Sequence, residues 1–198
     1  GMDVEFFRNN GSPRQENTLL FVGNTEDHKK GLRYLFDAMT MLPEHVTLTI
    51  VDDGPPKRLT AWGWITERGL EKRVTFTGKV ELSTLLHLYS TSTILVMASL
   101  YEGFGLPAAE AMACNTPVVV TSAGALPEVV GDCGVIVPPK DAVALKEGIL
   151  KLINNKALRE ELGKKGRKRV EDNFAWPVAA KNTLAVYHDV IQSYRSRI

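Results

Sequence analysis

Cysteine is scarce in this sequence, and apolar residues never run long enough to cross a membrane. The two cysteines, Cys114 and Cys133, give no disulfide framework, and their spacing matches no zinc site. We therefore expect reduced thiols in or near the core of a cytosolic protein. A membrane span needs about 18 consecutive apolar residues. The sequence shows neither such a run nor a signal peptide, so we expect no transmembrane segment.

Charge of one sign is also not in excess. The chain has 24 Lys and Arg residues against 23 Asp and Glu residues, which gives a formal net charge of +1. This balance gives no reason to expect nucleic acid or an anionic membrane as the principal partner. The G-x-G-x-x-G and P-loop signatures are missing, which removes the common dinucleotide-binding and ATPase interpretations.

Spacings typical of metal ligands are absent as well. The four histidines form no set with the spacing of a metal site or a catalytic triad. Asp52 and Asp53 are adjacent and precede Gly54 and Pro55, a pattern that favours a turn after a strand over a metal site. We therefore expect no metal cofactor.

Short apolar runs alternate with helical patterns along most of the chain. The runs predict strands, at Thr18–Val22, Val46–Val51, Val74–Thr77, Ile94–Met97, Val118–Val120 and Val135–Val137, and the first of them suits a strand buried on both faces. Apolar residues three or four positions apart, together with cap residues, predict helices over Leu32–Met39, Pro56–Arg68, Leu82–Tyr89, Pro107–Cys114, from Asp141, over Lys156–Val170 and from near Pro177. This alternation predicts an α/β fold, a Rossmann-like parallel sheet of about six strands with helices on both faces.

The stretch after the fourth predicted strand carries the most chemistry. Glu102 and Glu110 flank a loop with two glycines, and Pro107 then opens a run of helix formers. A glycine loop before a helix N-terminus presents free backbone N–H groups to an anion, whereas carboxylates suit hydroxyl groups. Together they fit a ligand with phosphate and sugar, such as a nucleotide-sugar. The alternative is a solvated loop glutamate and a second glutamate that complements the helix dipole.

The string YEGFGLPAAEAMACNTPVV resembles the Glu-seven-Glu motif of retaining glycosyltransferases of the GT-B fold, family 4. The segments LFVGNTEDHKKG, IVDDGP, FTGKV and AGALPEVVGDCGVIV resemble the same family in the same order, so the likeness covers nearly the whole chain. GT-B enzymes have two Rossmann-like domains, of which the C-terminal one holds most of the donor and the N-terminal one the acceptor. The resemblance therefore implies the C-terminal half of a GT-B fold.

A division of the chain follows from this resemblance. Residues 1–17 would comprise a cloning remnant and the interdomain linker, and residues 18–175 the donor-binding domain. Residues 176–198 would form the terminal helix that, in this family, crosses back to brace the N-terminal domain. Its predicted apolar face comprises Ala180, Leu184, Tyr187, Ile191 and Tyr194. A basic cluster in the preceding helix is expected to be a solvated face, and its members are Lys164, Lys165, Arg167, Lys168 and Arg169.

The resemblance also assigns roles within the site. Glu110 would accept hydrogen bonds from ribose hydroxyls, and Glu102, the catalytic candidate, would bind donor sugar hydroxyls near the reacting carbon. Neither glutamate is expected to act as a nucleophile. The backbone amides expected to meet the sugar and the phosphate are those of Gly103, Phe104, Gly105 and Leu106.

The loop after the first strand would supply the rest of the donor site. The family places an arginine just after the first glycine, here Gly23, and a lysine before the next one. Asn24 stands where the arginine would be, and Lys30 or, less favoured, Lys29 is the lysine. The alternative is a solvated lysine pair before a helix. Gly78 and Lys79 resemble the loop that borders the base.

We predict the donor-binding domain of a retaining glycosyltransferase that moves a hexose from a nucleoside diphosphate sugar to an acceptor. The acceptor, a glycan or lipid, would be held by an N-terminal domain missing here, so we expect this chain alone to be inactive. The full-length enzyme is expected in the cytoplasm, peripheral at a membrane. Two alternatives stay open: one half of a GT-B sugar-nucleotide epimerase, and a nucleotide-sugar binding module without catalysis.

Overall fold

The computed structural model describes residues 1–52 and 59–195. Its strands are β1 (Thr18–Val22), β2 (Thr47–Val51), β3 (Val74–Gly78), β4 (Ile94–Met97), β5 (Val118–Thr121) and β6 (Val135–Val137). All neighbouring pairs are parallel, and the order in the sheet is β3-β2-β1-β4-β5-β6. The predicted α/β fold with a six-stranded parallel sheet is therefore confirmed for the described part of the chain.

Helices cover both faces of the sheet. They are α1 (Leu32–Thr40), α2 (Leu59–Glu67), α3 (Leu82–Thr91), α4 (Leu106–Ala113), α5 (Leu126–Val130), α6 (Ala142–Ile153), α7 (Lys156–Asn173) and α8 (Trp176–Arg195), and a 3-10 turn spans His28–Lys30. Alternate residues of the strands pack into two separate hydrophobic cores, one on each face of the sheet. Leu19 and Val96 pack with α1, α2 and α6, whereas Leu20 and Met97 pack with α3, α4 and α5. Burial on both faces explains why β4 and β5 are nearly continuous apolar runs.

The strand order reverses between β1 and β4, because β1 lies between β2 and β4 in the sheet. Leu19 aligns with Ile94, and Leu20 aligns with Leu95. In open α/β sheets, ligands bind beyond the carboxyl ends of the strands at such a switch point. Here those ends lead into the loop after Val22 and the loop before α4.

Several predicted boundaries are wrong by one residue. The second strand begins at Thr47 rather than Val46, and the central helix begins at Leu106, with Pro107 in its second position. The last helix begins at Trp176, in agreement with the predicted start near Pro177. The start of the predicted helix from Pro56 lies outside the described residues, as does the predicted turn at residues 53–55. The division of the chain into residues 1–17, 18–175 and 176–198 stays a prediction.

The basic face of α7 is not fully solvated, which corrects the prediction. Arg167 lies partly buried and its Nη1 donates to the backbone oxygens of Val4, Phe7 and Ala113 at 2.8, 2.6 and 2.9 Å. Arg169 similarly donates to backbone oxygens at the end of α5. These arginines bind carbonyls because each guanidinium presents several donors in a planar fork. The N-terminal segment is thereby fixed against the domain.

The side chains of α8 make little contact with the rest of the described chain. None of its residues is buried, and the predicted apolar face of this helix is exposed, with Tyr187 at 60% and Ile191 at 48%. The role of α8 as a brace for another domain stays a prediction. Within the described residues, no helix combines the length and apolarity that a membrane crossing requires.

Gly31 allows the loop after β1 to approach the end of β4. It has a left-handed φ of 65°, and a Cβ there would overlap the carbonyl oxygen of Ala98. Gly69 has nearly the same φ, 64°, but a Cβ at that position would project into open space. Both Gly→Ala changes should cost about 1 kcal/mol for the left-handed conformation. Gly31→Ala should cost a further ~1–3 kcal/mol for the overlap.

Urea denaturation of the two single variants measures this difference in the free energy of unfolding. Gly69→Ala serves as the matched control, because it changes the conformation without the overlap. Equal losses in the two variants would contradict the close approach of Gly31 to β4.

Candidate functional site

The loop after β1 is fixed by a buried carboxylate. Asp52, at the end of β2, accepts hydrogen bonds from the backbone nitrogen of Thr25 at 3.0 Å and from its hydroxyl group. Asp52 and Thr25 are both buried, so this aspartate connects the end of β2 to the loop after β1, a contact that the sequence did not predict. Asn24 is exposed, and its Oδ1 accepts from the backbone nitrogen of Glu26 at 2.9 Å.

The two loops beyond β1 and β4 are joined by an ion pair. Lys30 Nζ lies 2.8 Å from Oε2 of Glu102, with side-chain exposures of 21% and 14%. The backbone nitrogen of Leu100 also donates to the carbonyl oxygen of Lys29 at 2.6 Å. The structure therefore brings Lys30, rather than the exposed Lys29, to the catalytic candidate Glu102.

The backbone at Glu102 is held from the other side by the turn before α5. Its carbonyl oxygen accepts from the backbone nitrogen of Ala125 at 3.0 Å. Gly124 packs so closely on this peptide that a Cβ there would overlap the same oxygen. Ser99 Oγ lies 3.5 Å from Oε2 of Glu102. These contacts restrict the position of the carboxylate before any ligand enters.

The loop from Glu102 to α4 presents unused donors. Gly105 has a left-handed φ of 97° and precedes α4 without a side-chain cap. Within the described residues, the backbone amides of residues 103–106 donate to no protein acceptor. Phe104 packs edge to face on Phe174, with ring centroids 5.4 Å apart. Free amides at a helix N-terminus are suited to an anion.

Glu110 lies on α4, and its Oε2 accepts a hydrogen bond of 2.7 Å from the hydroxyl of Tyr89 on α3. Burial raises the pKa of Glu110, whereas the Tyr89 hydrogen bond lowers it. The pKa of Tyr89 is raised well above its usual value, first by burial and then by the charge of Glu110. The hydroxyl therefore remains a donor. The sequence pattern predicts Tyr89 only as the last residue of a helix and gives no sign of this contact.

A cavity of about 280 Å³ opens beside the loop after β1. It brings together three predicted site residues, Gly23, Asn24 and Lys79, with the apolar side chains of Val80 and Leu85. Gly78, at the end of β3, has a left-handed φ of 69° and turns the chain into this cavity wall. An apolar wall next to backbone groups is suited to a base, although the roles of these residues stay predictions.

A larger cavity of about 650 Å³ lies away from every predicted site residue. It is lined in part by Arg14 and Arg159. Both guanidinium groups bond to backbone oxygens, at the chain after α4 and at the end of α6. Those segments meet at the amino ends of the strands, so these arginines act in packing rather than in the candidate site.

Comparison with known proteins identifies the family. The sequence profile described as glycosyl transferases group 1 matches residues 3–169. The chain belongs to this family of glycosyltransferases. The predicted resemblance to GT-B glycosyltransferases is thereby confirmed, and the fold agrees with it.

Relatives with assigned names match most of the chain. The MMP alpha-(1->4)-mannosyltransferase of Mycolicibacterium hassiacum is 33% identical over 203 residues, 96% of this chain and 47% of that protein. O-antigen chain mannosyltransferase B of Escherichia coli is 33% identical over 177 residues, 85% of this chain and 45% of that protein. The chain therefore spans about half the length of these relatives.

Solved structures also match this chain to glycosyltransferases. Sucrose-phosphate synthase of Thermosynechococcus elongatus superposes with a TM-score of 0.86 at 33% identity, covering 98% of this chain and 52% of that one. The C-terminal domain of a glycosyl transferase group 1 family protein from Francisella tularensis has a TM-score of 0.77 at 26% identity. The match covers 89% of this chain and 100% of that domain.

The ion pair between Lys30 and Glu102 should be measurable in the free chain. A double-mutant cycle of Lys30→Ala and Glu102→Ala on the free energy of unfolding should give a coupling of about 0.5–1 kcal/mol, because both groups are partly screened by solvent. The cycle of Lys29→Ala with Glu102→Ala is the control and should give a coupling near zero. A coupling with Lys29 as large as that with Lys30 would contradict the pairing.

Proposed function

We propose that this chain is the donor-binding domain of a retaining glycosyltransferase, which transfers a hexose from a nucleoside diphosphate sugar. The acceptor, a glycan or lipid, is held by a second, N-terminal domain, and this chain alone is inactive. The enzyme works in the cytoplasm, peripheral at a membrane. The two buried free thiols are compatible with a reducing compartment.

One observation carries this proposal. The switch point of the sheet holds an ion pair, Lys30 with Glu102, beside four backbone amides that have no acceptor among the described residues. A diphosphate needs cations and N–H donors, and sugar hydroxyls need a carboxylate acceptor. The names of the relatives agree with hexose transfer, because both of the named proteins are mannosyltransferases.

The proposed chemistry is electrostatic. As the bond between the sugar and the diphosphate breaks, negative charge develops on the leaving group. Lys30 and the amides before α4 are preorganised to stabilise that charge. Glu102 orients the sugar through its hydroxyls, and Glu110 holds the ribose. Asn24 provides no positive charge where the family pattern has an arginine, so the amides carry more of the diphosphate contact.

We also propose that donor binding needs no metal. Within the described residues, no group of three or more His, Cys, Asp and Glu side chains could hold a metal ion. Lys30 and the N-terminus of α4 can meet the diphosphate charge themselves.

Calorimetric titration of the chain with UDP, GDP and ADP in excess chelator tests the proposal. At least one of them should bind, and its affinity should be unchanged when magnesium replaces the chelator. Lys30→Met should weaken that nucleotide by about 1.5–3 kcal/mol, because a hydrogen bond to a charged group is lost, and Lys29→Met should not. Binding that vanishes with chelator and returns with magnesium would contradict the metal-free site.

The two glutamates should differ in the ligands that they recognise. Glu110→Gln keeps an oxygen for Tyr89 but presents a donor to the ribose. It should therefore weaken the nucleoside diphosphate and its sugar conjugate alike, by about 1.5–3 kcal/mol. Glu102→Gln should release Lys30, tighten the diphosphate by up to ~1 kcal/mol, and remove the extra affinity that the sugar brings.

Titration of both variants with the diphosphate and with its sugar conjugate measures this difference. Glu128→Gln is the control, because Glu128 is exposed and its side chain has no protein partner within the described residues. Equal loss of both ligands in the Glu102 variant would show that the assigned roles are wrong.

A further inference from the structure

Tyr89 is buried deeply for a residue that contacts a candidate binding group. Its relative exposure is 0%, and its hydroxyl donates to Oε2 of Glu110 at 2.7 Å. A buried tyrosine hydroxyl requires a hydrogen-bond partner. Glu110 is only partly buried. Its carboxylate therefore contacts the buried Tyr89 hydroxyl while part of the side chain is still exposed.

Tyr89 is held both at its ring and at its backbone. The ring of Phe7 packs against it edge to face, with centroids 6.3 Å apart. The hydroxyl of Thr116 bonds to the backbone oxygen of Tyr89 and fixes the end of α3 to the chain that enters β5. The phenol is thereby fixed, and its hydroxyl restricts the rotation of the Glu110 carboxylate.

We propose that Tyr89 is a positioning residue, which orients Glu110 for the two hydroxyls of a ribose and so makes the site select ribonucleotides. The proposal rests on the proposed function. Oε2 of Glu110 is occupied by Tyr89, and within the described residues Oε1 has no protein donor. One oriented acceptor is therefore available for the hydroxyl groups of the ligand.

The charges around Glu110 determine whether it can accept. Burial raises the pKa of Glu110, and the Tyr89 hydrogen bond opposes this by stabilising the carboxylate. Cys114 also lies near and has a thiol pKa of about 12, so it stays neutral. Arg167 from α7 and Arg14 from the N-terminal segment act on Cys114. Removal of the Tyr89 hydroxyl should therefore raise the pKa of Glu110.

The test is Tyr89→Phe, which keeps the buried ring and removes only the hydroxyl. The probe is whichever of UDP, GDP and ADP binds the unchanged chain most tightly, compared with its 2′,3′-dideoxy form. The variant should bind the ribonucleotide about 5–20-fold more weakly, as expected for one hydrogen bond to a charged group. Its affinity for the dideoxy form should stay within about twofold.

The pH dependence gives a readout that simple destabilisation would not move. Ribonucleotide affinity should fall as pH decreases through the pKa of Glu110, because protonation removes the negative charge that strengthens its hydrogen bonds to the ribose hydroxyls. In Tyr89→Phe this fall should begin at higher pH. Carboxyl-carbon NMR of Glu110 in the free chain should show the same upward change in pKa.

Thr91→Val is the matched control. It removes another buried hydroxyl from α3, one that bonds to the backbone oxygen of His87 instead of to Glu110. This variant should keep the preference for the ribonucleotide. If Tyr89→Phe weakened both nucleotide forms equally, or left the preference for the ribonucleotide unchanged, this inference would be wrong but the proposed function would stand. Failure of the unchanged chain to bind any of the three nucleotides would overturn the proposed function, and this inference with it.

Discussion

Parallel pairing of β1 with β4 is the constraint on which the candidate site depends. The two strands are distant in the sequence, and two further strands of the sheet lie between them along the chain. Their pairing sets the loops that follow them side by side. The close approach of Gly31 to Ala98, the backbone bond between Leu100 and Lys29, and the ion pair of Lys30 with Glu102 all result from this adjacency.

The packing of α4 then fixes where its N-terminus and Glu110 lie in the candidate site. Its four alanines are fully buried, which lets neighbouring backbones approach closely. Gly163 and Gly166 of α7 lie against Asn115 and Met112, where a Cβ would crowd both. Because α4 is enclosed on several sides, its N-terminus and Glu110 are presented at one defined position. The Ala-rich sequence of the motif is thus a packing requirement as well as a helix signal.

The fold was predictable from sequence because the central strands β1, β4 and β5 are apolar and buried on both faces, and most of the helices have an apolar side. The five-residue α5 and the 3-10 turn at His28–Lys30 were not predicted, because segments this short carry no periodicity. The motif predicted which loops form the candidate site, but not that Lys30 would pair with Glu102. The contact of Tyr89 with Glu110 joins two helices, and no local pattern reports it. Arg167 looked like a surface charge because its carbonyl partners lie far away in the sequence.

The ion pair bears on which ligand the site prefers. In the free chain, Lys30 and Glu102 neutralise each other at 2.8 Å, so neither charge is left unpaired in a partly buried place. A phosphate that took Lys30 alone would leave Glu102 without its partner beside a second negative group. A ligand that also offers hydroxyls supplies Glu102 with donors while it occupies Lys30. On the proposed function, the same pair therefore disfavours a bare phosphate relative to a sugar-phosphate conjugate, because only the conjugate replaces both halves of the interaction that it disrupts.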